Sequence, residues 1–85
     1  MEREIVLYSA ALCGDCQNLK RYMDAQGMVY ETRDIREHPE HARDLEKRTG
    51  KQGVPFLVID GEWKRGYEPG KPFSEEFARQ LLGND

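Results

Sequence analysis

Eighty-five residues, 38% hydrophobic and 34% charged, leave room for a single small domain over residues 1–85 with one modest core, and for no second domain. Thirteen basic against sixteen acidic side chains give a net charge of −3, with no basic stripe to neutralise phosphates, so no nucleic-acid partner is expected. Residues 1–4, Met1-Glu2-Arg3-Glu4, lack the basic and apolar regions of a signal peptide, and no apolar run reaches membrane-spanning length; a soluble cytoplasmic protein is expected.

Glu4-Ile5-Val6-Leu7-Tyr8 reads as a buried strand and residues 9–12 as a loop. A helix is predicted from about residue 13 to residue 26, with Leu19, Tyr22 and Met23 on its apolar face and Gly27 as a left-handed cap. Residues 28–35 alternate like a second strand, and its arrival after a helical crossover implies parallel pairing with the first. Pro39 suits the first turn of a second helix that turns Ala42, Leu45 and Thr49 inward and ends near Gly50. Phe56-Leu57-Val58-Ile59 is a third strand, Asp60-Gly61 a hairpin turn, and Glu62-Trp63-Lys64-Arg65 a returning fourth strand. Ser74 can cap a last helix with Glu75 and Glu76 in its first turn and Phe77, Ala78, Leu81 and Leu82 facing the sheet.

The only two cysteines stand together in Cys13-Gly14-Asp15-Cys16, where the first strand hands over to the first helix. A helix opening at Cys13 aims its unpaired N–H groups and positive dipole end at that sulfur, which favours the thiolate. Two intervening residues let the second thiol reach the first. The competing reading of C-x-x-C, half of a zinc or iron–sulfur site, needs four cysteine or histidine ligands. No second cysteine pair exists, and His38 and His41 flank Pro39 in a charged stretch that reads better as a solvated helix start. No metal is expected, and a dithiol redox centre is.

A βαβ unit, a helix, a β-hairpin and a last helix, with C-x-x-C opening the first helix, form the thioredoxin-like arrangement: an α/β fold, βαβ-α-ββ-α, with a four-stranded mixed sheet and three helices. The resemblance narrows at Tyr8-Ser9-Ala10-Ala11-Leu12-Cys13-Gly14-Asp15-Cys16, at Gly53-Val54-Pro55 before the third strand and at Asp60-Gly61 after it. Together these are similar to the glutaredoxin family over nearly the whole chain.

That resemblance implies an enzyme, a thiol–disulfide oxidoreductase, in which Cys13 is the solvent-facing nucleophile and Cys16 resolves the mixed disulfide from one turn inward. It implies a cis bond at Pro55, with the Val54 backbone pairing to an extended substrate strand. Gly66 and Tyr67 join Val54 and Pro55 as substrate-binding positions. Asp15 stands where many dithiol members carry an aromatic residue, and Gly14 where they carry proline. A carboxylate there supports the first helical turn but repels a Cys13 thiolate, so a more reducing centre is expected. Turned into solvent, the same charge is screened.

Glutathione-using members have a lysine shortly before the first cysteine and a Gly-Gly turn with acidic residues near the last helix. Here those places read Ala10 and Gly66-Tyr67-Glu68-Pro69, leaving Arg48 or Lys51 as remnants of a glutathione-carboxylate site. The segment Trp63-Lys64-Arg65-Gly66-Tyr67-Glu68-Pro69 instead resembles the Trp-x-Gly-Phe-x-Pro segment of redoxins that serve ribonucleotide reductase and are reduced by thioredoxin reductase, with one extra residue. Trp63 and Tyr67 can equally be packing aromatics of the hairpin. The expected partners are therefore a disulfide-containing protein substrate and either thioredoxin reductase or the glutathione system, acting on a monomer. No bound cofactor is expected, glutathione entering only as a reductant. The alternative is a glutathione-dependent iron–sulfur carrier, in which Cys13 of two subunits and two glutathiones bridge a cluster; Cys16 and the altered glutathione positions oppose it.

Overall fold

A computed structural model describes residues 3–83. The chain runs β1 (Ile5–Ser9), α1 (Gly14–Ala25), β2 (Glu31–Asp34), α2 (Pro39–Thr49), β3 (Phe56–Ile59), β4 (Glu62–Arg65), α3 (Glu75–Leu82). These strands form one sheet in the order β2-β1-β3-β4. β1 pairs with β2 in parallel, Val6 opposite Glu31 and Tyr8 opposite Arg33. It pairs with β3 in antiparallel, Ile5 opposite Ile59 and Tyr8 opposite Phe56, and β3 in turn meets β4 with Val58 opposite Trp63. This is the thioredoxin-like mixed sheet that the order of elements predicts.

The period-2 alternation of side chains divides the sheet into two faces. Ile5 and Leu7 of β1 and Leu57 and Ile59 of β3 face one side, where Leu19, Tyr22 and Met23 of α1 and Ala78 and Leu82 of α3 close the main core. Leu7, Leu19, Met23, Leu57 and Leu82 are wholly buried, each contributing about 1.5–3 kcal/mol relative to exposure. Val6, Tyr8, Phe56, Val58, Trp63 and Arg65 occupy the other face by the same register. α2 covers part of it, with Leu45 and Ala42 buried and His41 edge-on to Tyr8.

Each element ends where its sequence offers a stop. Gly27, Gly50 and Gly83 take positive φ after α1, α2 and α3, and Ser74 Oγ accepts the Phe77 N–H at the start of α3. Asp60 (φ 50) and Gly61 (φ 85) form the tight turn between β3 and β4. Arg3 donates to the Leu82 carbonyl and so ties the chain start to the end of α3.

The second strand is half as long as its alternation suggests, four residues in place of eight. The Met28 N–H is taken by the Met23 carbonyl at 3.0 Å, which draws residues 26–28 into the exit from α1. Tyr30 is likewise held back, its hydroxyl donating to Asp24 at 2.9 Å. Among the described residues, no helix is long and apolar enough to cross a membrane.

Candidate redox site at the start of the first helix

Cys13 is not the first residue of α1 but its N-cap, with extended backbone (φ −90, ψ 111). Its Sγ accepts the Cys16 N–H at 3.1 Å, taking up one of the donors that an α-helix leaves unpaired at its start. The Cys13 N–H donates to Ala10 O at 3.1 Å, and its carbonyl accepts from Gln17 at 3.2 Å, so the cap is fixed from both sides. Cys13 and Cys16 are disulfide-bonded, with Cα atoms 5.2 Å apart, inside the range that such a bridge spans. Their exposures differ: Cys13 is partly accessible and Cys16 has none.

The Val54–Pro55 peptide is cis, as the resemblance implies, and Val54 O lies 3.9 Å from Cys13 Sγ. Pro55 is buried, while its carbonyl accepts the Gly66 N–H at 3.0 Å. That contact needs glycine at 66, since a Cβ there would meet Pro55 O at 3.0 Å and Leu19 Cδ2 and Pro55 Cγ at 3.2 Å. Tyr67 follows and points its hydroxyl end at Gly53, the oxygen 3.0 Å from the place where a Cβ at 53 would sit. Thus the structure brings Val54, Pro55, Gly66 and Tyr67 into one wall beside the cysteines. Asp15 sits in the first turn of α1, half-buried, and has no ion pair or side-chain hydrogen bond among the described residues.

An exposed leucine and a set of ring and cation contacts that sequence reasoning did not pair complete the surroundings, with Trp63 and Tyr67 packing as aromatics of the hairpin. Leu12, immediately before Cys13, is 85% exposed and offers an apolar contact at the rim. Tyr8 and Trp63 stack with centroids 5.2 Å apart, and Arg48 lies over Trp63 at 5.7 Å, so the hairpin tryptophan joins β1 to α2. Arg65 covers Tyr67 in the same way at 5.7 Å. Spacing alone gives no signal for these pairs, because each joins separate elements; the alternation of β1 and β4 is the one hint that Tyr8 and Trp63 share a face. At the start of α2, His38 Nδ1 is 3.6 Å from Glu40, and His38, Glu40 and His41 can each bring one ligand atom within 4.8 Å of the others. His38 and Glu40 are exposed, in keeping with a solvated helix start.

A mixed sheet with C-x-x-C capping the first helix and a cis-proline beside it defines the class, a thioredoxin-like dithiol protein. The glutaredoxin family profile matches residues 5–64. The chain belongs to the glutaredoxin family and is a thiol–disulfide oxidoreductase of that type. Among solved structures, it is similar to the thioredoxin-like protein BC3987 (TM-score 0.72, 26% identity, covering 92% of this chain and 99% of that one). It is also similar to the glutaredoxin-like NrdH-redoxin from Escherichia coli, described as having a thioredoxin-like activity profile (0.68, 25%, covering 79% and 87%). A third likeness is to a buckwheat glutaredoxin solved with glutathione (0.63, 26%, covering 72% and 58%). No match is found among curated proteins.

Proposed function

We propose that this protein reduces protein disulfides through Cys13 and Cys16 and draws its electrons from thioredoxin reductase in preference to glutathione. The observation that carries the division of labour is the pair of sulfurs itself. Cys13 is partly exposed and its Sγ receives the Cys16 N–H, whereas Cys16 is closed to solvent and bonded to Cys13. In the reduced protein the Cys13 thiolate attacks one sulfur of the substrate disulfide, forming a mixed disulfide and releasing one substrate thiolate, which takes up a proton. Cys16, deprotonated, then attacks Cys13 Sγ. The mixed disulfide breaks, the second substrate thiolate leaves, and two electrons have passed from the Cys13–Cys16 pair to the substrate.

Val54 supports recognition, because its backbone groups belong to no strand and make no backbone hydrogen bond within the described residues. An extended substrate segment can pair there by β-augmentation, with Gly66 and Tyr67 forming the adjoining wall. The preference for a protein donor rests on Ala10, which is buried and uncharged, and on the turn after β4. There the Tyr67 hydroxyl closes on Gly53 and Glu68 is paired with Lys71, so the Gly-Gly turn of the glutathione-using members is reshaped and the lysine before the first cysteine is missing. Each lost charge-assisted hydrogen bond costs about 1.5–3 kcal/mol, at least about tenfold in affinity. No resident cofactor enters the cycle. A monomer in the cytoplasm, where dithiols are kept reduced, is the setting in which it runs.

The test is turnover of a protein disulfide with thioredoxin reductase against turnover with millimolar glutathione and its reductase. Faster turnover with thioredoxin reductase is expected. Efficient turnover with glutathione and none with thioredoxin reductase would refute the donor assignment.

A further inference from the structure

The sheet face that carries Tyr8 is only partly covered by α2, and the uncovered part is a groove. At one end it is lined by Tyr8, Arg33, Asp44, Lys47, Arg48 and Trp63. Arg48 and Trp63 also line its continuation, which passes Lys51 and Arg65 and reaches Gly53 and Tyr67 beside the redox pair. Its charge opposes that of the chain: five cations against Asp44 as the one carboxylate lining it, in a protein of net charge −3. Arg33 is already engaged by Glu31 and Tyr8. Lys47, Arg48, Lys51 and Arg65 have no carboxylate within ion-pair distance among the described residues. The Arg48 and Arg65 guanidiniums lie over the rings of Trp63 and Tyr67, each 5.7 Å from the centroid, and neither donates to a side-chain acceptor among the described residues.

We propose that this groove binds an acidic, extended segment of the partner protein flanking the disulfide that is reduced. The inference deepens the oxidoreductase reading and rests on it. A polypeptide is the occupant because the groove begins at Gly53, next to the backbone of Val54 that is left for strand pairing, so a chain paired there continues directly between Lys51 and Arg65. Arg48 and Arg65 line the same stretch of groove, and a guanidinium matches a carboxylate, which it can bind in bidentate fashion. A long polyanion is disfavoured by Asp44 and by the negative charge of the rest of the molecule. Two or three exposed pairs, each weak alone, should together give about a fivefold to tenfold preference at low salt.

The test uses two peptides that carry the same internal disulfide, one flanked by glutamates and the other by glutamines, each reduced by the full-length reduced protein. The readout is the ratio of the two rates, so damage to the redox centre lowers both rates and leaves the ratio. The glutamate peptide should be reduced about five to ten times faster at low ionic strength, and the ratio should approach one as salt is raised toward about 0.5 M. In Arg48→Gln/Lys51→Gln it should fall at least about threefold. A ratio of one in the parent protein, or a ratio that survives the double substitution, would overturn the proposal. A glutathionylated neutral peptide reduced faster than the glutamate peptide, with dependence on the same two residues, would overturn it in favour of a glutathione site. Reduction of neither peptide would remove the oxidoreductase reading and this inference with it.

Discussion

Burial separates the two cysteines more sharply than their spacing in the chain does, and the proposed order of exchange rests on it. Cys16 has no exposed surface, so in the proposed cycle a substrate disulfide meets Cys13 first. Asp15, one residue before Cys16, has no ion pair among the described residues that would offset its charge, and its repulsion of a Cys13 thiolate is the expectation to test. Asp15→Asn should therefore increase the thiolate fraction of reduced Cys13 at neutral pH and make the dithiol less reducing. A thiolate absorbance titration follows it directly, and an unchanged or smaller fraction contradicts the idea. At Gly66 the limit is space: a methyl group there presses on Pro55 O, Pro55 Cγ and Leu19 Cδ2. Gly66→Ala should cost about 1–3 kcal/mol of stability and slow disulfide reduction, which urea unfolding and a rate assay measure together. The cysteines and the Val-Pro wall were legible in sequence because they lie at the joints between strand and helix. Leu12 was not, since nothing in a loop sequence distinguishes an exposed leucine from a buried one.

At the level of elements, the strongest signals were caps and turns, and the weakest was the edge strand. Pro39, Ser74, Gly27, Gly50 and Asp60-Gly61 mark boundaries through local backbone chemistry, and each boundary stands within a residue of where that chemistry puts it. β2 is shorter than its alternation because residues 28 and 30 are bonded back to α1, a tertiary effect that periodicity cannot contain. Asp34 closes this strand. Its Oδ1 accepts the Glu37 N–H at 2.9 Å and the Arg36 N–H at 2.8 Å, and these bonds, that from Glu37 first, hold its carboxyl below the ordinary 3.8. A carboxyl lowered on folding contributes stability in full above its unfolded value and loses it as pH falls through the folded value. Asp34→Ala should thus be less stable than the parent by about 1 kcal/mol at neutral pH. That deficit should shrink as the pH drops below about 4. Denaturant titrations across that range decide the matter, and a deficit independent of pH contradicts it.

The whole molecule joins two functions of one sheet. Its α1 and α3 side is closed by the main core, and Cys16 of α1 is fully buried, whereas its α2 side stays partly open and carries the cationic groove. Composition concealed that groove, because a net charge of −3 averages over residues that the fold then sorts onto separate faces. Arg33 and Arg65 stand on the two edge strands, β2 and β4, and the register sets them in one row with Tyr8 and Phe56 across the face that Arg48 of α2 adjoins. Exchange at Cys13 is open to trapping. Cys16→Ser and Cys13→Ser proteins, each reduced and mixed with an oxidised protein substrate, are weighed by mass spectrometry. The account predicts that Cys16→Ser accumulates a mixed disulfide through Cys13 and that Cys13→Ser forms none and reduces nothing. Adducts on Cys13→Ser with an unmodified Cys16→Ser protein would contradict it and reverse the two roles.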